Sequence, residues 1–157
     1  VEEVSLGSTP TVRSALSEKG VTECRPGTYV YNDFSQVQLG SARLEDCAMT
    51  VVATIVSAPA PDRAVCDAGS KTISSDPLRP AGPGHGQILG RRSRVARLSE
   101  EHGVIAVEPG EAFRVGERVP ILPNHACIVS NLHARLVAVR GGRVEGQITV
   151  AARGCVQ

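Results

Sequence analysis

"RLVAVRGGRVEGQITV", residues 135–150, is two runs of alternating side chains on either side of Gly141-Gly142. Alternation with a period of two sends successive side chains to opposite faces of a strand, and a Gly-Gly pair supplies the positive φ angles of a tight turn. The stretch predicts a β-hairpin. Upstream of it, β-branched runs recur in "ERVPILP" (117–123), "AVCDAG" (64–69) and "TVVATIV" (50–56), separated by Gly- and Pro-rich turns. Short runs of this kind predict a mainly β domain over residues 32–157. Within it, "DPLRPAGPGHGQILGRR" (76–92) reads as an exposed loop long enough to reach another subunit, and "DAGSKTISSD" (67–76) as a polar turn.

Residues 1–31 have a different texture. "VEEVSL" alternates like a short strand and runs into "GSTPT", where Pro10 suits the first position of a helix over Thr11–Lys19. Gly20 ends that helix, "VTEC" resumes extended structure, and "RPG" turns again. Strand, helix and strand in this order make a βαβ unit. The fold expected is therefore a mainly β C-terminal domain preceded by the last βαβ segment of a (β/α)8 barrel, whose final two loops commonly hold a phosphate. The chain opens without methionine and directly in strand alternation, so a piece of a longer protein is expected.

Composition narrows the function classes. A net charge of +1, with 17 basic residues scattered along the chain, gives no electrostatic basis for a nucleic-acid partner. The longest apolar run, "AMTVVATIVSAPA", carries Thr and Pro and falls short of the roughly 20 residues that span a bilayer, so no membrane partner is expected. The five cysteines are odd in number and widely spaced, which argues against a secreted disulfide framework and for a reducing, cytoplasmic setting.

Two kinds of side-chain grouping could carry chemistry. Gly7, Ser8 and Thr9 lie between a strand and a helix, where free backbone N–H groups and two hydroxyls can bind phosphate; an ordinary helix N-cap is the alternative. Gly27 and Thr28 form a second glycine turn one helix later, on the neighbouring parallel strand, so the two loops can share one phosphate. In "LPNHACIVSN" (122–131), His125 and Cys127 stand two apart, so in an extended chain both point to one face and could hold a soft metal, or sit in a core. His102, beside Glu100 and Glu101, is a candidate proton relay or a solvated turn, His85 has no evident partner, and His133 joins His125 only if the strand continues. Lys71 has no cationic or desolvating neighbour of the kind that activates a Schiff-base lysine.

"EVSLGSTPT", "VTECRPGTYVYND", "DAGSKTISSD", "LSEEHG" and "LPNHAC" occur together in the order and spacing of one family. The chain resembles, nearly end to end, the C-terminal part of the D-serine dehydratase and D-threonine aldolase group, pyridoxal-phosphate enzymes of the alanine racemase fold. The resemblance implies that Gly7, Ser8, Thr9, Gly27 and Thr28 contact the cofactor phosphate, that Arg25 occupies the place facing the pyridine nitrogen in alanine racemases, and that His125 and Cys127 bind a metal. A His-x-Cys pair leans toward Zn2+ and a dehydratase, with Mn2+ and an aldolase as the alternative. "DAGSKTISSD" leans toward the bacterial aldolase members.

The implied reactions are dehydration of D-serine to pyruvate and ammonia, or cleavage of D-threonine to glycine and acetaldehyde, in a homodimer formed through the C-terminal domain. The family's Schiff-base lysine lies upstream of Val1 and neither Lys19 nor Lys71 matches it, so the chain alone is expected to be inactive. The rival from another class is a non-catalytic β-domain binding module in which His125 and Cys127 are structural.

Overall fold

The computed structural model describes residues 2–77 and 84–155. Its centre is a closed antiparallel barrel of six strands: β3 (Val51–Ala60), β4 (Arg63–Cys66), β5 (Gly86–Ile88), β6 (Arg94–Leu98), β7 (Gly103–Ala106) and β8 (Arg118–Pro123). Around the barrel the order is β3-β4-β7-β6-β5-β8, and β8 closes on β3 with Val51 opposite Ile121. Alternation explains the closure. Along β3, Val51, Ala53 and Ile55 face inward while Val52 and Val56 face out, and the inward residues of all six strands fill the interior. Ile55, Val95, Ile105 and Ile121 are fully buried, each stabilising the barrel by about 1.5–3 kcal/mol relative to exposure.

Gly69, just after β4, is required for space. Its backbone is extended, at φ −105°, but a Cβ there would lie 2.3 Å from the Glu100 carbonyl oxygen. The close approach is pinned by Ser70 N–H donating to Ser99 O and Lys71 N–H to Glu100 O. Gly69→Ala is expected to destabilise the fold by about 2–3 kcal/mol, read as a lower urea midpoint, because backbone on both sides must move.

Two further pieces flank the barrel. β1 (Ser5–Leu6) and β2 (Glu23–Cys24) form a parallel pair joined through a short 3-10 turn, Thr9–Thr11, and α1 (Val12–Ser17), so the expected helix is shorter than Thr11–Lys19. Gly20 holds φ +86° after it. This is the βαβ unit read from the sequence; a (β/α)8 barrel is not present among the described residues. β9 (Arg135–Arg140) and β10 (Arg143–Thr149) form the expected hairpin, with Gly141 and Gly142 at φ +55° and +76° and a bulge between Val144 and Gly146.

Three expectations are corrected. The 76–92 segment is not loop throughout: β5 lies inside it, because Gly86 and Ile88 face the barrel interior, and Gly86 admits no Cβ against Ile121. Residues 78–83 of that stretch lie outside the described residues. The polar turn at 67–76 contains a short helix, α3 (Ser70–Ile73), which buries Ile73. After β8 the chain does not continue extended through "HAC": it enters a helix, α4 (Ala126–Leu132), which packs Ala126 and Val129 inward. A further helix, α2 (Phe34–Gln38), was unforeseen.

Candidate metal and cofactor site

His125 is the N-cap of α4 and Cys127 lies in its first turn, so the strand-face argument for pairing them does not apply. What brings chemistry to this turn is its surroundings. Asp33, buried at 1 % exposure, caps α2 by accepting from Gln36 N–H at 3.0 Å, and its other oxygen accepts from Ala126 N–H at 2.9 Å. Ser35 Oγ donates to the Asn124 carbonyl at 2.7 Å. The backbone on both sides of His125 is thus tied to the segment that follows the Gly27-Thr28 turn. A cavity of about 420 Å³ opens there, lined by Thr28, Asp33, Asp76, Asn124 and His125 among others.

His125 Nδ1 lies 2.6 Å from the Asp76 carboxylate. A histidine so held has its other nitrogen, Nε2, available as a ligand, and among the described residues Nε2 takes no hydrogen bond. Cys127 is exposed, and its Sγ is 3.5 Å from Thr28 Oγ1. An imidazole nitrogen and a thiol are donors that suit Zn2+, so the pair fits such an ion. No group of three or more His, Cys, Asp or Glu able to hold a metal occurs among the described residues, so these residues offer the pair alone.

The two glycine turns are brought together. Tyr29 N–H donates to Thr9 Oγ1 at 3.0 Å, joining the loops at the carboxyl ends of β1 and β2. Accepting that bond leaves the Thr9 hydroxyl proton to donate elsewhere. Ser8 N–H is taken by Thr11 Oγ1 at 3.0 Å, which is the N-cap alternative realised in part, while Gly7 holds φ +94° and Gly27 borders open space. Hydroxyls and glycine backbone side by side fit a phosphate. Arg25 stands at the end of the same strand pair, its N–H donating to the Leu6 carbonyl at 3.3 Å and its Nε to Ser5 Oγ at 2.6 Å.

The other candidates stand elsewhere. Lys71 is exposed and ion-paired to Glu101 at 2.6 Å. His102 is exposed beside that pair, His133 Nε2 is 3.0 Å from the Thr72 carbonyl, and His85 directly precedes β5, its Nδ1 buried and without a partner among the described residues. Burial pushes the Cys47 thiol above its ordinary range, with the Asp33 and Asp46 charges adding to the effect, and burial does the same at Cys66 in the barrel; both are neutral thiols. All five cysteines are free, and no helix among the described residues is long and apolar enough to cross a membrane.

Sequence reasoning missed Asp33, Asp76 and Asn124. For Asp33 a signal existed, since Asp-x-x-Gln ahead of an apolar residue is a helix-start pattern. For Asp76 none did: 49 positions separate it from His125.

Comparison with known proteins bears on this geometry. A family model described as a putative serine dehydratase domain matches residues 48–139. The D-threo-3-hydroxyaspartate dehydratase of Delftia is 37 % identical over 141 residues, covering 79 % of this chain and 37 % of that enzyme. The D-serine dehydratase of Dictyostelium discoideum is 32 % identical over 151 residues, covering 83 % and 37 %. The chain thus spans well under half the length of these relatives, yet it covers 96 % of an uncharacterized Mycobacterium bovis protein, and 78 % of this chain is matched there at 38 % identity. Among solved structures, the D-threonine aldolase of Filomicrobium marinum superposes with a TM-score of 0.81 at 29 % identity, covering 99 % of this chain and 43 % of that one. The Delftia dehydratase superposes with 0.80 at 34 % identity, covering 92 % and 43 %. Variants of that dehydratase have been solved in which a histidine and, two positions on, a cysteine are replaced by alanine, the cysteine variant in a metal-free form. With its family match covering most of the barrel and the helix that follows, the chain belongs to the putative serine dehydratase domain family.

Proposed function

We propose that this chain is the metal-bearing part of a pyridoxal-phosphate lyase that acts on D-β-hydroxy amino acids, dehydrating D-serine to pyruvate and ammonia. The observation that carries the reading is the 3.5 Å approach of Cys127 Sγ to Thr28 Oγ1, which sets the His-x-Cys pair against the glycine turn that suits a phosphate. A metal-free form accompanying loss of the cysteine in a similarly spaced pair of the Delftia dehydratase supports it.

In this reading Thr9, Thr28 and the glycines Gly7 and Gly27 hold the phosphate, with Ser8 at the same turn. Pyridoxal phosphate, when bound, supplies an electron sink for the substrate's Cα, and a Zn2+ held by His125 and Cys127 supplies Lewis acidity at the β-hydroxyl. Asp33 and Ser35 fix the backbone that carries both ligands. Arg25, tied to Ser5, has no assigned contact with the ring. In this reading the Schiff-base lysine is supplied from outside this chain; Lys71 is exposed and ion-paired to Glu101, and Lys19 stands two residues beyond the end of α1. Assembly is as a homodimer.

Substrate assays of the full-length polypeptide test the reading: pyruvate from D-serine is expected, and turnover of neither D-serine nor any other D-β-hydroxy amino acid contradicts it. Glycine from D-threonine instead of pyruvate from D-serine selects the aldolase reading, which the Filomicrobium aldolase superposition favours. A second reading, a binding domain without chemistry, is favoured by the near-complete coverage of the mycobacterial relative. It predicts no stoichiometric metal.

A further inference from the structure

We infer that Asp76 is a positioning residue: it fixes the ring orientation and tautomer of His125 so that Nε2 presents a lone pair to the metal. The inference rests on the metal-site reading above and assigns a role to a residue outside the His-x-Cys pair.

Three contacts hold Asp76, one at each of its polar groups. Its N–H donates to Ser74 Oγ at 3.0 Å, and its carbonyl accepts from Asn124 Nδ2 at 3.0 Å. The third is the carboxylate, 2.6 Å from His125 Nδ1. Both supporting residues are buried, Ser74 at 3 % and Asn124 at 2 % exposure. Ser74 also holds φ +72°, a conformation L-residues rarely adopt, so the chain keeps a strained residue two positions before Asp76. Asn124 donates a second bond to the Gly84 carbonyl at 2.8 Å, two residues ahead of β5.

A plain surface ion pair explains none of this. Pairs as exposed as His125 and Asp76, at 39 % and 47 % of their side-chain surface, contribute about 0–1 kcal/mol, too little to account for the strained serine and the buried asparagine. A free imidazole exchanges its proton between the two nitrogens. A carboxylate fixed at Nδ1 keeps the proton there, which leaves the Nε2 lone pair for the metal. Backbone ties at Ala126 and Asn124 fix where the ring starts, and Asp76 fixes where it points.

The test uses the full-length polypeptide and Zn2+. In the metal-free protein labelled with 15N-histidine, the His125 signals, identified by their loss in His125→Ala, are expected to report a proton on Nδ1; in Asp76→Ala they revert to the mixture of a free histidine. Zinc affinity, measured by chelator competition, is expected to fall about 10–100-fold in Asp76→Ala, with Asp76→Asn between that variant and the parent because its amide oxygen still accepts from Nδ1. An unchanged tautomer in Asp76→Ala overturns the inference. So does zinc affinity within about two-fold of the parent, or an Asp76→Asn variant as weak as Asp76→Ala, which would make the carboxylate a ligand. Cys127→Ala separates the two levels: if it binds zinc as the parent does, the metal-site reading itself fails, and the inference with it. If Cys127→Ala loses zinc while Asp76→Ala does not, the inference alone fails.

Discussion

Cys127→Ala in the full-length polypeptide is expected to lower kcat/KM for a D-β-hydroxy amino acid by at least about 100-fold, or ~2.7 kcal/mol of transition-state stabilisation, while the cofactor's absorbance is retained. Among the described residues no third protein ligand stands with His125 and Cys127, so removing either leaves a single protein donor, too few to keep an ion against chelating buffer. The site's fold should be little affected: Cys127 is exposed, and α4 is anchored through Ala126 and Val129. Most of the loss should therefore appear in kcat. His125→Ala should behave alike. Steady-state kinetics with metal analysis of the same samples checks both, and activity within a few-fold of the parent in a variant that has lost its metal would detach the metal from the reaction.

Asp33→Ala should carry the largest stability cost of any single polar substitution around the site, about 3–5 kcal/mol. The carboxylate accepts from two backbone N–H groups on different helices, and charge-assisted bonds of this kind contribute about 1.5–3 kcal/mol each. At 1 % exposure, water replaces neither. Asp33→Asn keeps one carbonyl oxygen and can satisfy one of the two, so about half the loss is expected there. Urea unfolding measures both, and amide exchange at Gln36 and Ala126 locates the effect. Because Ala126 lies between His125 and Cys127, zinc affinity should fall in parallel with stability.

The β character of the domain was legible where alternation was regular, but the closure of six strands into a barrel was not. β3 and the first half of β8 bury alternate residues, and the hairpin turns at Gly141-Gly142 as its alternation requires, although β10 is exposed throughout. β5 was hidden because glycine and proline dominate its surroundings, and a strand of three residues has too short a period to detect. α4 was hidden for a different reason. "HACIV" suits a strand locally, and what turns it into a helix is tertiary: Asp33 accepts the Ala126 N–H from 93 positions away, and Ala126 and Val129, three apart, are the residues that reach the core. The candidate ligands and both glycine turns were named from residue type and spacing. Their mutual placement was not, since Thr28 and Cys127 are 99 positions apart and meet only through the fold.

In the proposed open zinc site His125 and Cys127 are the protein ligands that the described residues supply. X-ray absorption at the zinc edge of the loaded full-length polypeptide tests it most directly. One sulfur at about 2.3 Å, one imidazole nitrogen at about 2.0–2.1 Å and oxygen in the remaining positions is the predicted first shell. A shell without sulfur, or one closed by four nitrogen and sulfur ligands, would contradict the account.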